Sequence, residues 1–372
     1  MKLLYITNGI TGAGGLERVL AVKASLLAEN FGYEVHILSL NEEYAVPFFE
    51  FSPKIKRYSL RVYGNALQYI KMYRSGLQQK VKEIQPDVIS VCDDGLKGFF
   101  IPRILGNKVP CIYERHVSKN ISLDLLNANQ LTKILPTLKG KLMNYLSNDF
   151  DVFVVLTAGN STEWRKTNNL KVIPNPLSFF PVHNALLGEK KVIAVGKQSY
   201  QKSYDRLLEI WKEASEGITD WQLHIYGAQA ASEKLPELAS VLGVQNTVFF
   251  HEPDINIDQR YLESSIFVLS SRYEGFGMVI IEAMSCGLPV VSFDCPHGPG
   301  DIITDGKEGF LVKNGDTDEF ATKLKLLMQD QNLRRQFGAC GKQSVKRYVP
   351  EIIVKEWDEL FKHVKKLKNA KC

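Results

Sequence analysis

Short apolar runs and amphipathic helical patterns alternate along the first half of the chain. The opening run, Lys2 to Ile6, ends at a Thr-Asn-Gly turn and has the continuous apolar character of a strand buried on both faces. A glycine-rich turn follows, and apolar residues then recur at helical spacing between Leu16 and Leu27. Further strands are predicted at 33–39, 86–91, 109–114 and 151–156. This alternation predicts parallel sheets with helices on both faces.

The pattern is interrupted near the middle of the chain and then starts again. The stretch from Ile173 to Glu189 contains three prolines and lacks periodicity, which is typical of a linker. A last amphipathic pattern, from Ile352 to Lys371, places Trp357 and Phe361 on its apolar side. Between the linker and this pattern, strands are predicted at 191–195, 221–226, 247–250, 266–270 and 289–293.

These features predict two α/β domains in one chain. We expect the first domain at 1–175 and the second at 176–351, with a C-terminal helix at about 352–372 that packs back onto the first. At about 150 residues per domain, a chain of 372 residues has room for two. Its composition, 45% hydrophobic and 23% charged, excludes the disordered, collagen-like and coiled-coil classes.

Charge is distributed unevenly along the chain. Up to residue 175 there are 22 lysines and arginines against 15 acidic residues, and from 176 to 360 there are 19 against 26. The basic first domain indicates either ordinary solvated lysines or contact with anionic lipid or a phosphate-bearing acceptor. The candidate membrane segment is Leu131 to Leu146, in which Lys133, Lys139 and Lys141 lie among apolar residues. No nucleic-acid motif occurs, so a nucleic-acid partner is not expected.

The cysteines and the hydropathy pattern bear on the compartment. The six cysteines lack paired spacings such as C-x-x-C, so neither a disulfide framework nor a zinc site is predicted. No window approaches 18 uninterrupted apolar residues, and no membrane span is expected. We therefore expect a cytoplasmic protein, located at the inner face of the plasma membrane if it contacts lipid.

The loop after the predicted strand 266–270 carries the strongest chemical signal. Glu274 lies in this loop, and a short helix is predicted from Gly277 to Cys286, with Glu282 two turns inside it. Gly287 stands where a helix commonly ends on a glycine. The amides of Gly277, Met278 and Val279 would form a helix N-terminus suited to a phosphate. Ligands of open α/β sheets bind at such strand-to-helix loops.

Glu274 and Glu282, within EGFGMVIIEAMSCGLPVV, form an E-x7-E pattern that resembles the signature of the family 4 retaining glycosyltransferases. That resemblance implies the GT-B fold, in which two doubly wound Rossmann-like domains face each other across a cleft. The likeness continues in order along nearly the whole chain. The matching segments are Gly12-Ala13-Gly14-Gly15, His116, Ile173-Pro174-Asn175-Pro176, Gly196-Lys197, Lys202 and Asp205-Arg206-Leu207.

The resemblance implies a role for each matched residue. Lys197 and Lys202 would hold the nucleoside diphosphate, whose negative charge grows as it leaves. Lys197 stands where arginine is commoner, so its contact would lack bidentate geometry. Glu282 would bind the ribose diol, and Glu274 and His116 would contact the donor sugar. Gly14, Gly15 and the segment Phe276, Gly277, Met278 and Val279 complete the implied donor site.

The implied reaction transfers a hexose or N-acetylhexosamine from a UDP-sugar to a glycan or polyprenyl-linked acceptor in cell-surface polysaccharide synthesis. The resemblance implies retention at the anomeric carbon, with no metal ion and no other cofactor. The loop at 294–309, DCPHGPGDIITDGKEG, is similar to that of bacterial members that transfer galactose or N-acetylgalactosamine. A GDP-sugar (mannosyl) transferase and a nucleotide-sugar epimerase of the same fold remain alternatives.

Other interpretations of the same residues are weaker. The glycine cluster fails the G-x-G-x-x-G pattern of NAD-dependent dehydrogenases because Glu17 stands at its third glycine position. His116 could be a structural histidine, and the glycine cluster an ordinary tight turn. Two D-x-D sequences, at 149–151 and 316–318, are more consistent with chance and helix capping than with a metal site. A non-catalytic sugar-binding protein of this fold also stays open.

Overall fold

The computed structural model describes residues 1–119 and 134–370, and these form two compact units. The first unit comprises Met1–Pro176 together with the chain from Pro350 onward, and the second comprises Leu177–Val349. Each unit contains one parallel sheet, with seven strands in the first and six in the second. The predicted α/β class with parallel sheets is therefore confirmed.

The sheet of the first unit has the order β3-β2-β1-β4-β5-β6-β7, and all of its pairs are parallel. Its central strands are buried on both faces, which explains their unbroken apolar character in the sequence. Its strands are β1 (Lys2–Thr7), β2 (Glu34–Leu40), β3 (Lys56–Leu60), β4 (Val88–Cys92), β5 (Cys111–Arg115), β6 (Val152–Val155) and β7 (Leu170–Val172).

Helices cover both faces of this sheet. On one face Leu3 and Tyr5 of β1 pack in a core with helix α1, and on the other Leu4 and Ile6 pack in a core with helix α2. Helix α2 begins at a capping box in which Asn65 and Gln68 satisfy each other's backbone N–H groups. The described helices of this unit are α1 (Gly15–Asn30), α2 (Ala66–Ile84), α3 (Ile101–Leu105), α4 (Ile134–Ser147), α5 (Ala158–Ser161) and, at the C-terminal end, α13 (Pro350–Asn369).

The C-terminal helix α13 belongs to the first unit. Its apolar stripe, which includes Trp357, Phe361 and Val364, is buried in the core that α1 and β1 share. Tyr33 donates a hydrogen bond to Asp358 over 2.8 Å and lies against the ring of Phe361. These contacts attach the last helix to a sheet that is formed by the first part of the chain.

The sheet of the second unit has the order β10-β9-β8-β11-β12-β13, again with parallel pairs. Its strands are β8 (Lys191–Val195), β9 (Gln222–Tyr226), β10 (Val248–His251), β11 (Ile266–Leu269), β12 (Val290–Asp294) and β13 (Gly309–Lys313). Its helices are α6 (Tyr204–Ala214), α7 (Leu235–Leu242), α8 (Ile257–Leu262), α9 (Met278–Ser285), α10 (Pro299–Ile302), α11 (Thr317–Gln329) and α12 (Gln331–Ser344).

The strand order locates the candidate site in each unit. It reverses between β1 and β4 in the first sheet and between β8 and β11 in the second. In open parallel sheets a ligand binds beyond the carboxyl ends of the strands at such a reversal, because the loops diverge there and leave a crevice. Glu274 follows β11, and Lys202 lies between β8 and α6, so both belong to the reversal of the second sheet.

Helix α4 carries part of the proposed membrane segment. Leu131 and Lys133 lie outside the described residues. Leu138 and Tyr145 are 57% and 64% exposed, so α4 presents apolar side chains to solvent. Among the described residues, no helix is long and apolar enough to cross a membrane.

Candidate functional site

Lys202 and Glu274 form an ion pair at the reversal of the second sheet. Lys202 Nζ lies 2.7 Å from Glu274 Oε1, and Ser271 Oγ donates to the same oxygen over 2.7 Å. The two side chains of the pair are 14% and 8% exposed. The structure thus brings together two predicted site residues that stand 72 positions apart in the sequence.

Gly196 makes room for the Lys202 side chain. Its φ of +150° suits glycine, and a Cβ at this position would lie 2.5 Å from Cε of Lys202. Ser270 Oγ donates to the carbonyl oxygen of Lys202 over 2.8 Å and so ties this loop to the end of β11. The absence of a side chain at Gly196 therefore lets the Lys202 side chain pass over this residue at the end of the sheet.

Lys197 occupies a different environment from Lys202. Its residue is exposed, whereas Lys202 is half-buried and ion-paired with Glu274. The two lysines of the implied basic pair are thus unequal in this structure. Lys202 is anchored at the end of the sheet, and Lys197 projects into solvent.

The loop before α9 is shaped by two glycines. Gly277 is the N-cap residue of α9, with a φ of +93°, and Phe276 before it is buried. A Cβ on Gly298 would collide with the carbonyl oxygen of Phe276, and Glu274 N donates to Pro296 O over 3.2 Å. The loop at 294–309, which the sequence singled out, therefore packs directly against the Glu274 loop.

Glu282 is buried in α9 behind this loop. The helix begins at Met278, so Glu282 lies one turn inside it and the expectation of two turns is wrong. The residue is only 1% exposed, and its Oε1 accepts a hydrogen bond from Ser178 Oγ over 3.0 Å. The carboxylate therefore already takes a hydroxyl donor of the kind that a ribose would offer.

Arg272 was missed by the sequence interpretation. Its guanidinium lies 2.5 Å from Asp205 and stacks at 4.0 Å over the ring of Tyr200. Burial tends to raise the pKa of Asp205, but the Arg272 contact outweighs it and the pKa is lowered. The signal that could have found it is the polar Ser-Ser-Arg run directly after an apolar strand.

His116 follows β5 in the first unit and contacts a buried carboxylate. Its Nε2 lies 3.3 Å from Oε2 of Glu114, and its side chain is 6% exposed. Glu114 is also paired with Lys23 and accepts a hydrogen bond from Ser90 Oγ. Burial opposes ionisation, but Lys23 and His116 prevail and lower the pKa of Glu114 to about 2.

The glycine-rich loop before α1 lies under an acidic side chain. Gly14 is the N-cap residue of α1, and Gly15 begins the helix. A Cβ on Gly12 or Gly14 would lie 2.7 or 2.6 Å from a carboxylate oxygen of Glu17. Burial raises the pKa of Glu17 and neighbouring acids add to the effect. A side chain at either glycine would displace the Glu17 carboxylate, and a phosphate here would meet a carboxyl group whose raised pKa favours protonation.

One group of side chains has the composition of a metal site. Among the described residues, one ligand atom each of Cys92, Glu114 and His116 lies within 4.8 Å of the others. However, Glu114 is already paired with Lys23, and burial raises the pKa of the Cys92 thiol well above its ordinary value. A metal ligand must be deprotonated, so these contacts disfavour a cation here.

The two D-x-D sequences have structural contacts. Asp149 is paired with Arg103 over 2.6 Å, and Asp151 accepts from the backbone N–H of Cys111 over 2.9 Å. Asp316 caps α11 by accepting a backbone N–H of its first turn. These carboxylates serve strand ends and a helix start, in agreement with the capping interpretation.

Comparisons with known proteins identify the family of this chain. The family model described as glycosyl transferases group 1 matches residues 178–344. An uncharacterized glycosyltransferase of Haemophilus influenzae is 31% identical over 96% of this chain and 98% of its own length. The chain therefore belongs to the group 1 glycosyltransferase family.

Two further relatives have named roles. The amylovoran biosynthesis glycosyltransferase AmsD of Erwinia amylovora is 28% identical over 97% of this chain and 99% of its own. The lipopolysaccharide 1,6-galactosyltransferase of Escherichia coli is 25% identical over 87% of this chain and 88% of its own.

Solved structures agree with the GT-B fold that the sequence predicts. Sucrose-phosphate synthase from Thermosynechococcus elongatus has a TM-score of 0.84 at 18% identity and covers 98% of this chain and 99% of its own. TarM of Staphylococcus aureus, in complex with fondaparinux, α-GlcNAc-glycerol and UDP, scores 0.79 at 15% identity, with 97% and 99% covered. HepE of Anabaena, with UDP and glucose, scores 0.77 at 18% identity, with 97% and 99% covered.

Proposed function

We propose that this protein is a retaining glycosyltransferase that moves a hexose or N-acetylhexosamine from a UDP-sugar to a glycan or lipid-linked acceptor in cell-surface polysaccharide synthesis. The observation that carries the proposal is the Lys202–Glu274 ion pair at the reversal of the second sheet. A half-buried lysine at this point can exchange its carboxylate partner for a diphosphate, since both are anionic oxygen acceptors.

In this proposal, the residues around the pair bind different parts of the donor. Lys202 and the N-terminus of α9 at Gly277 offer positive potential to the diphosphate. Glu282 offers a buried acceptor to the ribose hydroxyls, as it does to Ser178. Once Lys202 moves to the phosphate, Glu274 is released to accept hydroxyls of the donor sugar. The family resemblance assigns His116 a further contact to that sugar.

The reaction follows from this division. The bond between the anomeric carbon and the β-phosphate oxygen breaks, and the charge on the leaving diphosphate is held by Lys202 and the helix amides. The acceptor oxygen attacks from the same face and its proton passes to the departing phosphate oxygen. This path needs no protein nucleophile and no metal ion. We therefore expect full turnover in the presence of a metal chelator.

The choice of donor and pathway draws on the relatives. TarM and HepE are described with UDP bound, and the Escherichia coli relative is named as a lipopolysaccharide galactosyltransferase. AmsD is named for biosynthesis of the polysaccharide amylovoran. Together with the 294–309 loop beside Glu274, these names favour UDP over GDP and a galactose-type sugar.

Isothermal titration with UDP, GDP and their sugars tests the donor site. UDP and at least one UDP-sugar should bind, GDP should bind more weakly, and binding of UDP should weaken in Lys202→Met. Preferential binding of GDP would replace the donor with a GDP-sugar. The absence of binding by any nucleoside diphosphate would contradict the proposal.

We further propose that the protein works on the cytoplasmic side of the plasma membrane and contacts anionic lipid through α4. The exposed Leu138 and Tyr145 and the nearby Lys141 have the composition of an interfacial helix. Sedimentation with vesicles that contain anionic lipid should retain the protein at low salt and release it at high salt. Equal retention by neutral vesicles, or equal retention of a Leu138→Glu variant, would contradict this surface.

A further inference from the structure

The contact between His116 and Glu114 has a consequence for how His116 meets a substrate. A neutral imidazole carries one proton, so one ring nitrogen donates and the other accepts. A carboxylate accepts only, and the low pKa of Glu114 means that it is ionised at neutral pH. Nε2, which lies 3.3 Å from the carboxylate, is therefore the nitrogen that carries the proton.

The other ring nitrogen is left as an acceptor. Nδ1 of His116 is buried and has no hydrogen-bond partner among the described residues. A buried acceptor without a hydrogen-bond partner costs free energy. A hydroxyl donor on a bound ligand would remove that cost by making the missing hydrogen bond. Sugar hydroxyls are donors of this kind.

Glu114 is itself held on every side. Lys23 Nζ pairs with Oε2 and Ser90 Oγ donates to Oε1, and both residues of the Lys23–Glu114 pair have side chains only 1% exposed. The carboxylate cannot swing toward solvent, because the lysine and the serine fix both of its oxygens. Its orientation is therefore set before any ligand arrives.

The C-terminal helix closes this arrangement. Lys23 lies on the core-facing side of α1, and its Nζ is 3.9 Å from the centroid of the Trp357 ring of α13. A cation over an indole face is stabilised by the ring quadrupole, most strongly when water is excluded. Trp357 thus holds Lys23 in place, and Lys23 in turn holds the Glu114 carboxylate.

We propose that Glu114 is the positioning residue for His116: it holds the proton on Nε2 and so presents Nδ1 as the acceptor for a substrate hydroxyl. Lys23 and Trp357 keep Glu114 in place. This inference rests on the proposed role of His116 as a contact to the donor sugar. It adds a residue that never touches the substrate but decides which ring nitrogen does.

Two double variants separate positioning from stability. The first, Lys23→Met with Glu114→Gln, removes both charges but keeps an oxygen acceptor near Nε2, and we call it the amide variant. The second, Lys23→Met with Glu114→Leu, removes the acceptor as well, and we call it the apolar variant. Replacing both partners of a buried pair avoids an orphaned charge, so both proteins should fold. Urea unfolding of the full chain checks that their stabilities match.

The first readout is the ring proton of His116. In protein labelled with ¹⁵N-histidine and held at about pH 8, where an ordinary imidazole is neutral, the wild type should show a slowly exchanging N–H signal on Nε2. His116→Gln identifies that signal by removing it. The amide variant keeps the signal because an acceptor remains, and the apolar variant loses it. A proton on Nδ1, or a signal that survives in the apolar variant, would overturn the proposal.

The second readout is turnover of the UDP-sugar. The apolar variant should lose kcat by about 10- to 100-fold through misplacement of the imidazole, with UDP affinity unchanged. The amide variant should retain most of kcat. Equal kcat in the two would overturn the proposal. A wild type that turns over no sugar nucleotide, yet shows the Nε2 proton and its loss in the apolar variant, would contradict the proposed function while supporting the positioning contact.

Discussion

Each unit of this protein contains a Lys–Glu pair near the reversal of its sheet, and the two pairs differ in burial. Lys23 and Glu114 in the first unit have side chains 1% exposed, whereas Lys202 and Glu274 in the second are 14% and 8% exposed. The first pair is sealed by Trp357, and the second lies beside a helix N-terminus that attracts anions. The same two residue types thus form a fixed internal support in one unit and, in the proposed function, an exchangeable ligand contact in the other.

The sealed pair gives the largest expected effect on stability. Lys23→Met alone leaves the Glu114 carboxylate buried without its main partner, which should cost about 3–5 kcal/mol of unfolding free energy. Urea unfolding monitored by circular dichroism measures the loss. Adding Glu114→Leu should recover most of it, and a single variant within about 1 kcal/mol of the wild type would show that the pair is not sealed.

The exchangeable pair should matter more for catalysis than for folding. Lys202→Met should lower turnover of a UDP-sugar by about 100- to 1,000-fold, as expected for loss of a group that stabilises the leaving charge. Its unfolding free energy should fall by less than that of Lys23→Met, because the side chains of this pair are more exposed. Lys212→Met is the matched control, since Lys212 is exposed on α6 in the same unit. Turnover that falls equally in both variants would break the comparison.

Glu282 tests the ribose contact with a smaller effect. Glu282→Gln keeps the size of the side chain but removes its charge, and a charge-assisted hydrogen bond is worth about 1.5–3 kcal/mol. UDP affinity measured by titration should therefore fall by about 10- to 100-fold. Unchanged UDP affinity would exclude the ribose role. Uridine, which has the ribose but lacks the diphosphate, serves as the control ligand.

Acid should act on His224 and on Glu114 in separate pH ranges. In the second unit His224 lies 2.9 Å from His251, and burial together with Lys191 lowers the pKa of His224 from 6.5 to about 4. Between these pH values His224 is protonated in the unfolded chain but not in the folded protein. The free energy of unfolding therefore falls as the pH drops from about 6.5 towards 4. The urea midpoint should depend less steeply on pH in His224→Gln than in the wild type. An unchanged slope would contradict the assignment.

At Glu114, in the first unit, the corresponding range is lower. Glu114 has its pKa lowered from 4.5 to about 2, so its contribution is present above pH 4.5 and is lost as the pH falls towards 2. The apolar variant, Lys23→Met with Glu114→Leu, should lose less stability than the wild type as the pH falls below 4.5. Parallel losses in the two proteins would contradict the sealed pair.

Much of the fold follows from the sequence, and the strands that it missed share a location. β3, β7 and β13 all lie at an edge of their sheet. An edge strand is flanked on one side only and needs fewer apolar residues; KRYSL in β3 and LKV in β7 are half-exposed and lack a buried run. The central strands were predictable because a strand that is buried on both faces requires a continuous run of apolar residues.

The candidate site was predictable where one loop carries it and not where tertiary packing assembles it. The E-x7-E loop contains its own turn and helix start, so Glu274 and Glu282 could be placed from local sequence. Lys23 and Glu114 are 91 positions apart, and a lysine on a helix normally indicates a solvated face. Only the packing of α13 over α1 shows that this lysine is internal.

The position of α13 also has a consequence for synthesis of the chain. Because the first unit includes the helix Pro350–Asn369, all of residues 177–349 are inserted between its sheet and its last helix. Leu177 N donates to Tyr348 O over 2.7 Å, so the two ends of the insertion lie side by side. A nascent chain can complete the inserted unit while the enclosing one still lacks Trp357. The inserted unit is therefore synthesised before Trp357, and the support beneath His116 is completed only after residues 177–349 have been made.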